Sequence, residues 1–286
     1  MAIDKNFAVF ILSHGRPDRV DTYKSLIESG YTGDIYIIID NEDKTADDYR
    51  ALYGDQVIVF DKMAISKTFD TGDNFDDRRA VIYARNACFN IAWELGLDYF
   101  LQLDDDYVDF RYKMDSQFRS IHRKLIKDLD RTINALLDYY KSIPALSIAI
   151  AQGGDFLGGI ENDIDKSLNR RRKCMNTFIC STERPFQFVG RINEDVNVFT
   201  WFQRLGNLFL TFPLIAIQQR QTQTNSGGMT DLYRDSGTFI KSFYTVMYSP
   251  SSVKVKMIRS NHPRLHHQVD WKNAVPCILS EDCRKA

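Results

Sequence analysis

Apolar and polar residues come in blocks along the first hundred positions. Phe7 to Ser13 (FAVFILS) is an almost unbroken apolar run halted by the polar stretch HGRPDR, the pattern of a strand covered on both faces inside a parallel sheet. A helix is predicted from about Arg19 to Ser29, closed by Gly30. Asp34 to Asp40 (DIYIIID) and Gln56 to Asp61 (QVIVFD) repeat the strand pattern. After the polar loop Asp70 to Asp77, the residues Ala84, Cys88, Ile91, Ala92 and Leu95 recur at helical spacing until Gly96, and DYFLQL supplies the next strand. Strand and helix in alternation predict βαβ units, a parallel sheet and right-handed crossovers.

The pattern then loosens. Ile121, Leu125, Leu129, Ile133, Leu136 and Tyr140 predict one long amphipathic helix ending before Pro144. Ala145 to Ala151 (ALSIAIA) reads as a strand running into the loop QGGDFLGG; FQFVG and LFLTFPLIAIQQ are further strand candidates, with a helix from Glu194 to Arg204 between them. After Gly227 and Gly228 come a helix through DLYRDSGTFIKSFYTVMYS and a strand SVKVKMI. No linker rich in Pro, Gly or Ser divides the chain, so residues 1–286 are expected to form one domain. Its halves would be 1–110 for a nucleotide-type ligand and 111–286 for an acceptor.

Charge narrows this only locally. With 37 basic and 38 acidic residues the net charge is -1, which excludes a body that coats nucleic acid nonspecifically. Five cysteines without a CxxC pair suggest neither a disulfide framework nor a zinc site. Neither a signal peptide nor a membrane-length apolar run is evident, so a cytoplasmic location is expected, with no membrane and no obligate protein partner.

The chemistry concentrates at the strand ends. In an open parallel sheet, ligands bind beyond the carboxyl ends of the strands, where Ser13, Asp40 and Asp104 to Asp106 all fall. Three adjacent carboxylates repel one another unless a hard cation sits among them. Alternation along an extended chain lets Asp104 and Asp106 face one side while Asp105 points away. Mg²⁺ or Mn²⁺ held by so few protein oxygens keeps positions for phosphate. Asp40 would then accept from a base or ribose hydroxyl, and Arg16, with Arg79 or Arg85 at the entry of the helix before the acidic strand, would meet phosphate.

The segment RRAVIYARNACFNIAWELGLDYFLQLDDD, Arg78 to Asp106, resembles the donor-binding signature of nucleotide-sugar glycosyltransferases of the GT-A fold, and FILSHGRPDRV resembles that fold's first strand and nucleotide loop. More narrowly, SHGRPDR, TFDTGDNFDDRRAVIYARNACFNIAWELG, QLDDDY, AQGGDFLGG and TNSGGMTDLYRDSGTFIKSFYTVMYSPSSVKV together resemble the TET/JBP-associated glycosyltransferases, largely bacteriophage enzymes that add sugars to hydroxymethylated pyrimidines in DNA.

That resemblance implies an α/β fold: a GT-A-like, Rossmann-type central sheet, mostly parallel and flanked by helices, with an irregular C-terminal acceptor half. It implies a UDP-sugar donor bound by Ser13, His14, Arg16, Asp40, Arg79, Arg85, Asp104 and Asp105, and a metal on Asp104 and Asp106 with a late histidine such as His262 or His266. A second acidic motif is matched by GRINEDVNVFTW, which makes Asp195 the expected general base with Glu194 beside it. For DNA containing 5-hydroxymethylcytosine as acceptor, phosphate contacts are expected from Arg170, Arg171, Arg172, Lys173, Lys254 and Lys256, with Arg259 behind them. One of Phe186, Phe188, Phe199, Trp201 and Phe202 could stack on an extruded base. Two enzyme readings stay open beside this one: a transferase acting on a cell-surface glycan, and a phosphohydrolase or nucleotidyltransferase using the same aspartates. A nucleic-acid-binding module with a structural acidic turn is the non-enzyme alternative.

Overall fold

The first strand explains its own composition. In β1 (Phe7–Leu12) all six side chains are buried. Phe7, Val9 and Ile11 enter one hydrophobic cluster while Ala8, Phe10 and Leu12 enter another on the opposite face. A strand covered on both sides has no polar face to show, hence the continuous apolar run. The computed structural model describes residues 2–73, 77–152, 155, 173–219, 240–258 and 264–284, apart from the side chains of 122, 123, 258 and 264.

Along the chain β1 is followed by α1 (Asp21–Glu28), β2 (Asp34–Asp40), α2 (Ala46–Tyr53), β3 (Val57–Phe60), α3 (Lys62–Ser66), α4 (Ile82–Glu94) and β4 (Tyr99–Asp104). Then come β5 (Tyr107–Met114), β6 (Ser120–Leu125), α5 (Leu129–Lys141), β7 (Ala145–Gln152), β8 (Thr177–Ser181), α6 (Glu194–Gln203) and β9 (Leu208–Gln219). Residues 240–248 are helical (α7), and β10 (Val253–Ile258), β11 (Arg264–Val269) and α8 (Trp271–Ala274) follow. Among the described residues the sheet has nine strands in the order β3-β2-β1-β4-β8-β7-β9-β5-β6. β3, β2, β1 and β4 are mutually parallel, so Ser13, Asp40 and Asp104 emerge at one edge. β8 runs antiparallel between β4 and β7, β7 and β9 are parallel, and β5 returns antiparallel against β9. The protein is thus α/β with a large, mostly parallel central sheet flanked by helices.

Two expectations change. The predicted helix across 121–140 is two elements: Ile121 and Leu125 lie in β6, the outer strand of a hairpin with β5, and the helix begins at Leu129. A spacing of four satisfies one turn of helix and also strand alternation, so the apolar pattern could not separate them. The divide is Asp128, whose side chain accepts from Arg131 N at 3.2 Å and caps α5. FQFVG is no strand: Phe188 N donates to Asn86 Oδ1 (2.8 Å) and its carbonyl accepts from Asn86 Nδ2 (3.1 Å), so an α4 side chain replaces a neighbouring strand. From 111 on the chain carries the second half of β5 and then β6 to β9, with β7 and β9 on the predicted apolar runs, and these strands complete the same sheet.

Among the described residues no helix is long and apolar enough to cross a membrane. All five cysteines are free thiols.

Candidate active site

The acidic turn is anchored from two sides. Asp105, 1% exposed, turns back beneath β1, where Ser13 Oγ donates to its Oδ2 (2.5 Å) and Arg16 Nε donates to the same oxygen (2.8 Å). Tyr49 from α2 completes the chain, sharing a hydrogen bond with Ser13 Oγ (2.6 Å) and accepting from Arg16 N (3.1 Å). Burial pushes the Asp105 carboxyl up, against the pull of Arg16 and Ser13, and pushes the Tyr49 phenol up to about 12. On the other side Thr22, at the start of α1, donates to Asp104 O (2.6 Å) and accepts from Tyr107 N (2.9 Å). The turn is held from backbone and side chain alike, with Asp105 as its internal peg and not a solvent-facing ligand group.

At the end of β2 the Asp40 carboxylate takes three protein donors. Its Oδ2 takes His14 Nδ1 at 2.8 Å and Lys62 Nζ at 3.2 Å, and its Oδ1 accepts from Glu42 N at 3.1 Å. The acceptor role toward a ribose or base expected of Asp40 from its position thus competes with these protein donors. The exposed partner is His14, whose pKa is raised by its hydrogen bond to Asp40. Lys62, buried though charged, finds Asp40 as its counter-ion.

Arg85 corrects an expectation. It does not face a phosphate; it is 1% exposed, donating from Nε to Glu194 Oε1 (3.0 Å) and from Nη2 to Asp104 Oδ1 (2.9 Å). The rings of Phe178 and Phe188 lie 5.1 and 5.9 Å from its guanidinium carbon. Burial opposes its charge, but Asp104 and Glu194 more than offset this and leave its pKa raised. One guanidinium thus ties the acidic turn after β4 to the second acidic motif at the start of α6.

That motif opens with a left-handed residue, Asn193 (φ 57°), whose Nδ2 donates to the Lys241 carbonyl and to Thr245 Oγ1 (3.1 Å) on α7. Burial and neighbouring Asp195 push the Glu194 carboxyl up, toward neutrality. Asp195 is only partly covered, and its Oδ1 accepts from Val196 N (2.8 Å). Burial raises its pKa against the pull of Arg85.

Asp106 lies across from β9, where Gln219 Nε2 donates to both of its oxygens at 3.1 Å. Its carboxyl is pushed up to about 6, chiefly by burial and then by Asp104 beside it. Two hard carboxylates repelling at the edge of a nucleotide-type sheet fit a divalent cation, which would relieve the repulsion. Among the described residues no three His, Cys, Asp or Glu gather as a metal cluster, so Asp104 and Asp106 would hold the ion without His266. His266 sits on β11, stacked on His267 with ring centroids 4.3 Å apart. His262 lies outside the described residues.

The remaining expected residues scatter. Arg79 pairs with its neighbour Asp77 (3.0 Å) at an exposed position before α4. Lys173 forms a buried ion pair with Asp155, so its charge is already met. Lys254 and Lys256 are exposed on β10, two residues apart on one face. Arg170, Arg171, Arg172 and Arg259 lie outside the described residues. Phe186, Phe188 and Phe199 are core residues, Phe202 packs against that core, and Trp201 is covered by the Arg204 guanidinium at 3.9 Å. Residues that the sequence reading missed are Tyr49, Thr22, Lys62, Asn193 and Gln219. Each acts through a partner distant in the chain, and only Gln219, at the polar end of an apolar strand, carried a positional hint.

A model of the TET-associated glycosyltransferases matches residues 7–228. Among solved structures, the crystal structure of glucosyl-3-phosphoglycerate synthase from Mycobacterium tuberculosis in complex with UDP aligns with 93% of this chain and 90% of its own, at 11% identity and a TM-score of 0.44. No curated protein matches the chain. The family match covers more than three quarters of the sequence and runs from β1 through both acidic motifs, and the chain belongs to the TET-associated glycosyltransferase family.

Proposed function

We propose that this glycosyltransferase moves a sugar from a UDP-sugar to the hydroxymethyl group of a modified pyrimidine in DNA, 5-hydroxymethylcytosine foremost. The observation that carries the reading is the Arg85 bridge, which brings a donor-type acidic turn and a second carboxylate motif into one site in a chain of this family. Ser13, Arg16 and the Asp104 to Asp106 turn form the donor edge. When bound at Asp104 and Asp106, Mn²⁺ or Mg²⁺ would supply positive charge to the diphosphate.

Asp195 is the base. Its carboxylate takes the hydroxymethyl proton as the hydroxyl oxygen bonds to the anomeric carbon, while the bond from that carbon to the diphosphate oxygen breaks and its electron pair leaves with UDP. Glu194, locked to Arg85, orients the motif without touching the acceptor. His14 meets the nucleotide, with Asp40 and Lys62 fixing its ring.

The test incubates pure protein with Mn²⁺, a panel of UDP-sugars and either hydroxymethylated or unmodified DNA, read by nucleoside mass spectrometry. A glycosylated hydroxymethylpyrimidine nucleoside is expected only from modified DNA. Transfer to a glycan acceptor with none to either DNA would overturn the reading.

A further inference from the structure

A groove of about 530 Å³ separates α6 from the β10–β11 hairpin. Its wall carries Lys256, His266 and Gln268 from the hairpin, and Met175, Met257 and Trp271 supply apolar surface. Among the described residues no Asp or Glu lines it, although acidic residues outnumber basic ones in the chain. Its volume falls in the range of small-ligand pockets, large enough for one nucleotide and too small for a stretch of duplex. Lys254 follows Lys256 on the same exposed face of β10, roughly 7 Å along the strand, so positive charge continues outward from the groove.

The groove also points toward the reacting carboxylate. Phe199, in its lining, is four residues after Asp195 on α6, which places the two on one helix face about one turn, roughly 6 Å along the axis, apart. At the same end His267 Nδ1 lies 3.4 Å from Asn193 Nδ2, tying the hairpin to the residue that opens the motif. A base resting at the level of Phe199 would carry a substituent of one carbon and one oxygen up toward Asp195.

We propose that this groove receives a single extruded nucleotide of the DNA acceptor, its base against Met175, Met257 and Trp271 and its phosphate against Lys256, with Lys254 following the adjoining backbone. The assignment rests on the DNA-acceptor reading above. Base extrusion supplies the chemistry: a hydroxymethyl group within a stacked duplex cannot reach a carboxylate recessed beside a sheet edge, and stacking on thioether and indole surfaces replaces part of what is lost on unstacking.

The experiment measures binding of a fluorescent duplex carrying one hydroxymethylcytosine across a salt series, together with steady-state transfer. Lys256 is exposed, so Lys256→Glu leaves folding intact. It is expected to weaken DNA binding about tenfold at low salt and to reduce the slope of log K against log salt by about one, with Lys256→Arg close to the wild type. An abasic site opposite the modified base, which removes the cost of unpairing, is expected to raise kcat/KM about tenfold in the wild type. Wild-type binding and slope in Lys256→Glu, or no gain from the abasic partner, would overturn the groove assignment while leaving transfer to DNA standing. A wild-type protein that neither binds nor modifies DNA would instead overturn the acceptor reading beneath it.

Discussion

Replacing Arg85 by Met removes one cation from between two carboxylates and keeps most of the side-chain volume. The two contacts, 2.9 Å to Asp104 and 3.0 Å to Glu194, correspond to charge centres about 4 Å apart, each worth about 4 kcal/mol of attraction at an effective dielectric of about 20. Desolvating the guanidinium returns part of that, and breaking a buried pair by deleting one partner costs about 3–5 kcal/mol net. Glu194 limits the loss, because its carboxyl is already displaced toward neutrality and can take up a proton once its partner is gone. The sign with pH follows. A carboxyl whose folded pKa exceeds its unfolded value keeps its stabilising contribution at low pH and loses it as pH rises through the folded value, by about 1.4 kcal/mol per pH unit. Arg85→Met is therefore expected to lower Tm by about 10 °C at pH 8 and by clearly less at pH 5, measured by circular dichroism melts, using about 2–4 °C per kcal/mol for a chain of this size. Adding Glu194→Gln should recover part of the loss in a double-mutant cycle. A loss equal at both pH values, or none, would refute the view that Arg85 holds the two acidic motifs together.

Asp106→Asn is expected to stabilise the metal-free protein by about 1–2 kcal/mol at pH 8, because it removes a carboxylate that burial and Asp104 hold at a raised pKa, while weakening Mn²⁺ binding at least tenfold by calorimetry. Asp195→Asn should lower kcat by about 10²–10⁴-fold with UDP affinity retained, separating proton removal from donor binding. His267 is held neutral, its pKa lowered to about 3 mainly by burial, so its contribution is present above about pH 6.5 and fades as the pH falls toward 3. Urea unfolding of the wild type and His267→Gln should therefore converge as the solution is acidified. Lys62→Met should free Asp40 from one partner and raise KM for the donor more than it changes kcat, read by initial rates across donor concentration.

The parallel half of the fold was legible because each of its strands is a short apolar run with a breaker behind it. Phe7 to Ser13 shows why: a strand buried on both faces leaves the strongest signature a strand can leave. The β5–β6 hairpin was illegible for the opposite reason. It lies at the sheet margin, where Leu125 is 45% exposed, and its apolar spacing of four coincides with helical spacing up to the Asp128 cap. FQFVG failed differently: Phe186 and Phe188 are buried as in a strand, but the backbone of Phe188 is satisfied by the Asn86 side chain, roughly a hundred positions away. Sequence pattern records burial more faithfully than it records the hydrogen-bond partner.

The same distinction separates the acidic residues of the site from the basic ones. A carboxylate triplet after an apolar strand is a local feature, and Asp104 to Asp106 lie at the sheet edge as their position required. An arginine's role depends on what it reaches across the fold. Arg16, Arg79 and Arg85 read alike in sequence as phosphate contacts, yet one pegs Asp105, one pairs with Asp77 and one is sealed between Asp104 and Glu194. Their long side chains carry a fixed charge into whatever environment the tertiary structure builds, and where that environment is dry, as at Arg85, burial forces the charge to find a carboxylate. Asp40 shows the complement: a strand-end carboxylate whose place was foreseeable and whose partners, His14 and Lys62, were not. Position along a strand thus foretells where a charge will sit, and only the packed structure decides whether that charge is offered to a ligand or consumed by the protein.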